Sequence, residues 1–275
     1  MHATWTVRRA VLLLTCLATA LASAAIPPAD TGASDALKDS PRHGEWVDVP
    51  LEDGTTLKTW IVYPEVAGKA PVVLVIHEIF GLTDWIRAVA DQLAADGFIA
   101  IAPDLLSGMG PGGGGTESFA GDAVREAIRK LTPDQVAQRL DAVRRYALAL
   151  PAASAKSASI GFCWGGTASF RYAMRQPQLN AAVVFYGSGP TNQQELASIN
   201  CPVLGLYGGD DARVTSTVEP SAAAMKAAGK SFESHVFDGA GHGFLRQQAA
   251  RDGANQPAAD AAGKRTVEFL HEPLR

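Results

Sequence analysis

The segment around Cys163 has the strongest chemical signature in the sequence. Its residues, GFCWGG at 161–166, join an apolar run at 157–162 to a stretch of helical character that begins at Thr167. This strand–turn–helix order is typical of a nucleophile elbow, in which a tight turn exposes the reactive side chain. A thiol at a helix N-terminus is favoured in its reactive thiolate form. We therefore predict that Cys163 is a nucleophile, the alternative being a buried structural cysteine.

A base and an acid for this nucleophile follow two later predicted strands. The first strand, residues 203–207, precedes Asp210 and Asp211, and the second, residues 232–237, precedes His242. The order nucleophile, acid, histidine is that of α/β-hydrolases. Small residues around His242 leave its ring free to approach the thiol, so we predict that His242 is the base. Asp211 is favoured as the acid over Asp210, which is nearer the turn glycines and could instead cap the turn.

A third motif, HEIFG at 77–81, follows the apolar run at 71–76. Its first two residues match the start of a zinc-binding HExxH motif, but Gly81 occupies the position of the second histidine, so no metal site is predicted. In a hydrolase of this type, the loop after such a strand and the residue after the nucleophile donate N–H groups to the developing oxyanion. These donors would be Ile79 and Trp164. Glu78 would lie beside the thiol, unless it is an ordinary surface carboxylate.

Strands must alternate with helices from residue 71 onward to position these motifs. Short apolar runs are separated by amphipathic stretches, which predicts an α/β-hydrolase fold with a mostly parallel central sheet and helices on both faces. Ligands of such sheets bind at the carboxyl ends of the strands, where each motif falls. The glycine-rich stretch 106–118 is predicted to be a mobile surface loop or, alternatively, a substrate-entry rim. Helices are predicted at residues 83–96, 133–150, 167–175, 216–228 and 260–270.

The first 24 residues have the pattern of a secretory signal peptide. Arg8 and Arg9 precede an uncharged apolar run at 10–20, and Ala22-Ser23-Ala24 offers small residues for cleavage before Ala25. A retained membrane anchor is the alternative, although the run is short for one. We expect a periplasmic or secreted protein with a flexible leader at 25–42 and a single α/β-hydrolase domain at 43–275.

Composition excludes several classes of protein. The formal net charge of -4 and the lack of a basic run argue against a nucleic-acid or membrane-surface partner. The glycine-rich stretch lacks the GK[ST] of a phosphate-binding loop, and no CxxC motif supports a redox role. Cys201 is interpreted as a buried thiol at a strand end. We expect a monomer that needs no cofactor, does not associate with membranes after signal cleavage, and acts on a small-molecule lactone or ester.

With these motifs assembled, the chain resembles the dienelactone hydrolase family, the carboxymethylenebutenolidases. The resemblance covers about residues 45–270 and implies a triad of Cys163, His242 and Asp211. It also implies that Glu78 takes the thiol proton once substrate has bound. The segments that carry the resemblance are HEIFG at 77–81, APDLL at 102–106, GFCWGG at 161–166, YGGDDARV at 207–214 and GAGHGF at 239–244.

The chain departs from this family in its arginines. Members that act on dienelactone hold the substrate carboxylate with two arginines, and Arg246 matches one of them. The other position falls at residues 107–110, SGMG, where no arginine is available. We predict that Arg246 binds a substrate carboxylate, weakly because it acts alone; the alternative is a solvated surface arginine in a neutral-ester hydrolase. A non-catalytic exported binding module on the same fold is the second class of function.

Overall fold

The computed structural model describes residues 26–275, and the predicted signal peptide and its cleavage site lie outside them. Within this range, eight strands form one sheet in the order β1-β2-β4-β3-β5-β6-β7-β8. The hairpin β1–β2 is antiparallel, β2 is antiparallel to β4, and all other pairs are parallel. The predicted mostly parallel sheet is therefore confirmed. The strands are β1 Gly44–Pro50, β2 Thr56–Val62, β3 Ala70–Ile76, β4 Ile99–Pro103, β5 Ala153–Phe162, β6 Ala181–Phe185, β7 Val203–Gly208 and β8 Phe232–Phe237.

Helices cover both faces of the sheet because its central strands are apolar on both sides. In β3, Val72 and Leu74 belong to the core under α3, α4, α5 and α8, whereas Val73 and Val75 belong to the core under α1, α2 and α9. Each of these buried side chains contributes about 1.5–3 kcal/mol relative to exposure. The helices are α1 Ala33–Asp39, α2 Asp84–Ala95, α3 Ala123–Lys130, α4 Pro133–Leu148, α5 Trp164–Arg175, α6 Gln193–Leu196, α7 Ala212–Thr215, α8 Val218–Ala227 and α9 Asn255–Leu274.

The segment before the hairpin is folded against the domain, so the prediction of a flexible leader at 25–42 was wrong for the residues that the structure describes. A 3₁₀ turn at Asp30–Gly32 leads into α1, which packs on α2 and buries Ala33 completely. Arg42 donates from Nε to Asp91 at 3.1 Å. The Pro-, Asp- and Ser-rich composition that suggests flexibility also suits helix caps and turns, and distant contacts decide between the two.

The glycine-rich stretch is also more structured than the sequence indicates. It forms two short 3₁₀ turns, and the carboxylate of Asp104 accepts hydrogen bonds from the backbone N–H of Thr116 at 2.6 Å and from its hydroxyl at 2.7 Å. These bonds close the stretch onto the end of β4. Helix α3, which follows it, is not among the predicted helices, although its sequence is strongly amphipathic. Between residues 26 and 275, the structure contains no helix that is long and apolar enough to span a bilayer.

Candidate active site

Cys163 occupies a strained turn between β5 and α5. Its backbone has φ 57° and ψ -116°, a conformation that residues other than glycine rarely adopt and that costs about 1–3 kcal/mol. The turn is held by hydrogen bonds from Cys163 N–H to Phe185 C=O, 3.0 Å, and from Thr167 N–H to Cys163 C=O, 3.2 Å. A Cβ at Gly161 would overlap the backbone of Gly165, so the turn requires a glycine there. The predicted elbow geometry is present.

The pKa of the Cys163 thiol is affected by Glu78 and by the two backbone N–H groups that the sequence singled out. Burial and the nearby carboxylate of Glu78 raise the pKa of the thiol, whereas the amides of Trp164 and Ile79 oppose the shift because they stabilise the thiolate. The first two causes are larger, so the resting side chain is a protonated thiol. The structure thus brings the predicted nucleophile, both predicted oxyanion donors and Glu78 into one site.

His242 is paired with Asp211 and not with Asp210. Its Nδ1 donates to Asp211 Oδ2 at 2.5 Å, and the Asp211 side chain is only 8% exposed. This bond fixes the tautomer that leaves Nε2 free to accept a proton. Asp210 instead forms an exposed ion pair with Arg251. The choice between the two carboxylates follows from the turn after β7, where Asp211 is the N-cap residue immediately before the short helix α7.

Glu78 is buried beside Arg246. It is therefore not the ordinary surface carboxylate that was the alternative prediction from the sequence. Burial raises the pKa of Glu78 to about 7, although the Arg246 charge acts in the opposite direction. Arg246 Nε lies 2.8 Å from Glu78 Oε2, but its N–H is not aligned for a hydrogen bond, so the contact is an ion pair. The guanidinium also lies over the Phe80 ring, 5.1 Å from its centre, and donates from Nη1 to Asp30 at 2.5 Å.

Two residues of this region, Asp30 and Tyr186, escaped the sequence analysis. Tyr186 follows β6 with φ 40°, is completely buried, and its hydroxyl has no hydrogen-bond partner among residues 26–275. Its ring meets the His242 ring edge-on at 5.2 Å between centres. Burial raises the pKa of Tyr186, and the charges of Glu78 and Cys163 raise it further. Its position at the carboxyl end of a parallel strand was the available signal.

His77 has a structural role in the HEIFG motif. Its Nδ1 donates to the carbonyl of Glu78 at 2.8 Å, and its Nε2 accepts from the backbone N–H of Leu105 at 3.2 Å. Burial lowers the pKa of His77, so the ring stays neutral and fixes the loop that carries Glu78 and Ile79. In the described part of the chain, no three His, Cys, Asp or Glu side chains converge as metal ligands.

A groove of about 530 Å³ lies beside α5, next to the nucleophile but separate from it. Its walls come from α4, α5 and α6 and include Trp164 and Tyr172. The side chains of Cys163, His242 and Glu78 do not line it. We therefore assign the chemistry to the carboxyl ends of the strands and not to this groove.

The mostly parallel sheet, the elbow after β5, the carboxylate after β7 and the histidine after β8 together define an α/β-hydrolase. Residues 57–274 match the model of the dienelactone hydrolase family. The chain belongs to this family. The match spans the HEIFG loop, the elbow, Asp211 and His242. The resemblance inferred from the short motifs is therefore confirmed.

Similar proteins agree with this assignment. A provisionally named carboxymethylenebutenolidase of Methylorubrum extorquens is 34% identical over 268 residues, which cover 90% of each chain. A relative with the same provisional name in Salmonella typhimurium is 34% identical over 74% of this chain and 77% of its own. The crystal structure of a provisionally named dienelactone hydrolase from Klebsiella pneumoniae superimposes with a TM-score of 0.75 at 30% identity and covers 84% of this chain and 99% of its own.

Proposed function

We propose that the protein hydrolyses small lactones or carboxylic esters through Cys163 and an acyl-thioester intermediate. The observation that carries this proposal is the position of Cys163 in the strained turn between β5 and α5, where the amides of Ile79 and Trp164 act to lower the pKa of its thiol. A carbonyl carbon attacked by this sulfur would have its oxygen within reach of the same two donors. The names of the relatives, carboxymethylenebutenolidases, support the same class of substrate.

The first half of the proposed reaction forms the thioester. When substrate binds, the Glu78 carboxylate accepts the thiol proton, and the thiolate attacks the carbonyl carbon. The resulting oxyanion is held by the amides of Ile79 and Trp164 and collapses as the carbon–oxygen bond to the alkoxide breaks. The alkoxide takes up the proton that Glu78 accepted, so Glu78 returns to its carboxylate form. In a lactone, the alcohol remains attached to the acyl group.

The second half hydrolyses the thioester. His242, oriented by the Asp211 carboxylate, removes a proton from water, and the hydroxide attacks the thioester carbonyl. The tetrahedral intermediate collapses with cleavage of the carbon–sulfur bond and releases the carboxylic acid. The protonated imidazole returns its proton to the sulfur of Cys163. The resting thiol and a neutral His242 are thereby restored.

Substitution of the nucleophile tests the proposal. Cys163→Ala is expected to reduce turnover of an aryl ester on the order of a thousandfold or more, because the thioester can no longer form. Mass spectrometry of the native enzyme should detect one acyl adduct on Cys163. Cys201→Ala is the matched control, since Cys201 is also a free thiol but is buried in the core. Near-native turnover by Cys163→Ala would refute the mechanism.

We further propose that the protein is exported to the periplasm or medium. The basic pair, apolar run and small-residue site in residues 1–24 support this proposal. N-terminal sequencing of protein recovered from the periplasmic fraction should begin at Ala25. Recovery of the chain only from the cytoplasm, with Met1 retained, would contradict export.

A further inference from the structure

The chain immediately before α1 forms an arm, residues 26–32, that lies against the loop carrying Arg246. The backbone N–H of Asp30 donates to the carbonyl of Arg246 at 3.1 Å. Pro27 is buried, and its carbonyl accepts from Gln248 Nε2 at 2.7 Å. Backbone contacts therefore hold the arm in place independently of the Asp30 side chain. The position of the Asp30 carboxylate is set by these contacts.

The carboxylate of Asp30 occupies the face of Arg246 that Glu78 leaves free. Arg246 Nη1 donates to Asp30 Oδ2 at 2.5 Å, while Nε faces Glu78 at 2.8 Å. The Arg246 side chain is only 17% exposed, and Phe80 covers one side of its guanidinium. One positive charge thus faces two carboxylates when Glu78 is ionised. A third carboxylate approaching the same guanidinium would be repelled by these two carboxylates and would find Nη1 already donating to Asp30.

We propose that Asp30 determines substrate specificity by taking the place on Arg246 that a substrate carboxylate would occupy. The site then selects neutral lactones and esters and discriminates against substrates that carry a carboxylate near the scissile bond. This inference rests on the proposed hydrolase function and revises the expectation that Arg246 itself binds a substrate carboxylate. Residues 107–110, SGMG, supply no second arginine for such a carboxylate, although Arg125 also lies over the Phe80 ring and Arg213 lowers the pKa of Cys163.

The test compares two esters that differ in one charge. The mono-4-nitrophenyl ester of succinic acid carries a carboxylate, and its methyl ester has the same leaving group and acyl chain without the charge. The native enzyme should have the higher kcat/KM with the neutral ester. Asp30→Asn should shift the ratio of the two kcat/KM values towards the charged ester by about tenfold, the lower end for a charge-assisted contact because Asp30 is partly exposed. The shift should lie mainly in KM.

Two further variants separate this effect from general changes of charge or fold. Asp35→Asn removes a negative charge from the neighbouring helix α1, where Asp35 pairs with Lys38 and not with Arg246, so the ratio should stay as in the native enzyme. Combining Asp30→Asn with Arg246→Ala should abolish the gain for the charged ester, because the freed guanidinium is then missing. Thermal unfolding of each variant checks that the fold is retained.

The outcomes distinguish this inference from the proposed function. A native preference for the charged ester, or an unchanged ratio in Asp30→Asn, would overturn the role of Asp30 even if Cys163→Ala is inactive. Turnover that survives in Cys163→Ala would instead refute the proposed mechanism. If neither ester is hydrolysed, titration calorimetry with glutarate gives a second readout. Binding to Asp30→Asn but not to the native protein would support the inference, and equal binding would overturn it.

Discussion

The site contains two buried carboxylates, each paired with a basic side chain, and the two pairs differ in which partner can move a proton. Asp211 pairs with His242, an imidazole that can act as a general base. Glu78 pairs with Arg246, a guanidinium that has donors and no acceptor. In the first pair the carboxylate can only orient its partner. In the second pair the carboxyl itself must accept the proton, and burial raises its pKa to about 7, close to the pH at which it would act.

This comparison shows that burial alone does not assign a role to a carboxylate. Both side chains are less than a tenth exposed. The identity and alignment of the partner make the difference, because a direct hydrogen bond holds Asp211 on the imidazole, whereas the Arg246 N–H is not aligned on Glu78. Because a guanidinium has no acceptor for the thiol proton, Glu78 is the member of its pair that can take it.

The largest expected effect comes from breaking the histidine pair. Asp211→Asn should reduce kcat on the order of a thousandfold or more, because an amide cannot favour the tautomer that leaves Nε2 free. Asp210→Asn is the neighbouring control, since Asp210 pairs with Arg251 away from the imidazole, and it should keep nearly native turnover. Steady-state kinetics of both variants shows which aspartate orients His242. A larger loss for Asp210→Asn would reverse the assignment.

A smaller effect is expected when the proton-accepting pair is changed. Glu78→Gln should reduce turnover about a hundredfold, the lower range for loss of a general base. In the native enzyme, turnover should fall as the pH drops through about 7, because the Glu78 carboxyl becomes protonated and can no longer accept the thiol proton. This acidic limb should disappear from the pH–rate profile of Glu78→Gln. Glu219→Gln, on the exposed face of α8, should retain it.

Stability provides an independent readout of the same variant. The pKa of Glu78 lies above its ordinary value of 4.5, so the protonated carboxyl stabilises the fold below that value, and this contribution is lost as the pH rises through about 7. The free energy of unfolding of Glu78→Gln, relative to that of the native protein, should therefore increase from pH 5 to pH 8. The increase should be at most about 3 kcal/mol. Denaturant unfolding at the two pH values measures the gain. An equal difference at both pH values would mean that Glu78 does not titrate in this range.

The histidine pair was within reach of sequence analysis because its signals are local. Buried parallel strands are continuous apolar runs, and the turns that follow them carry the chemistry within a few residues. Cys163 and Asp211 follow such runs, whereas His242 follows the partly exposed edge strand β8. The same locality gave the order of the elements and the mostly parallel sheet.

The contacts of Arg246 could not be predicted from local sequence patterns. Arg246 meets Asp30 across 216 positions of sequence, and no local pattern marks a residue in a Pro- and Ser-rich segment as part of a site. Whether such a segment is flexible or docked depends on the surface that receives it. Tyr186 was missed for a related reason, since an aromatic residue at a strand end is ordinary until its hydroxyl is found buried and unpartnered.

The docked arm also bears on how substrate preference is compared among relatives. Asp30 precedes residues 57–274, which match the family model, so a residue that sets charge preference here lies outside the region by which members are recognised. Under the proposed role of Asp30, two proteins could share every motif of the family and yet differ in their preference for neutral or carboxylate-bearing substrates. Exchanging a segment of seven residues would then shift one preference towards the other without altering the sheet or the nucleophile.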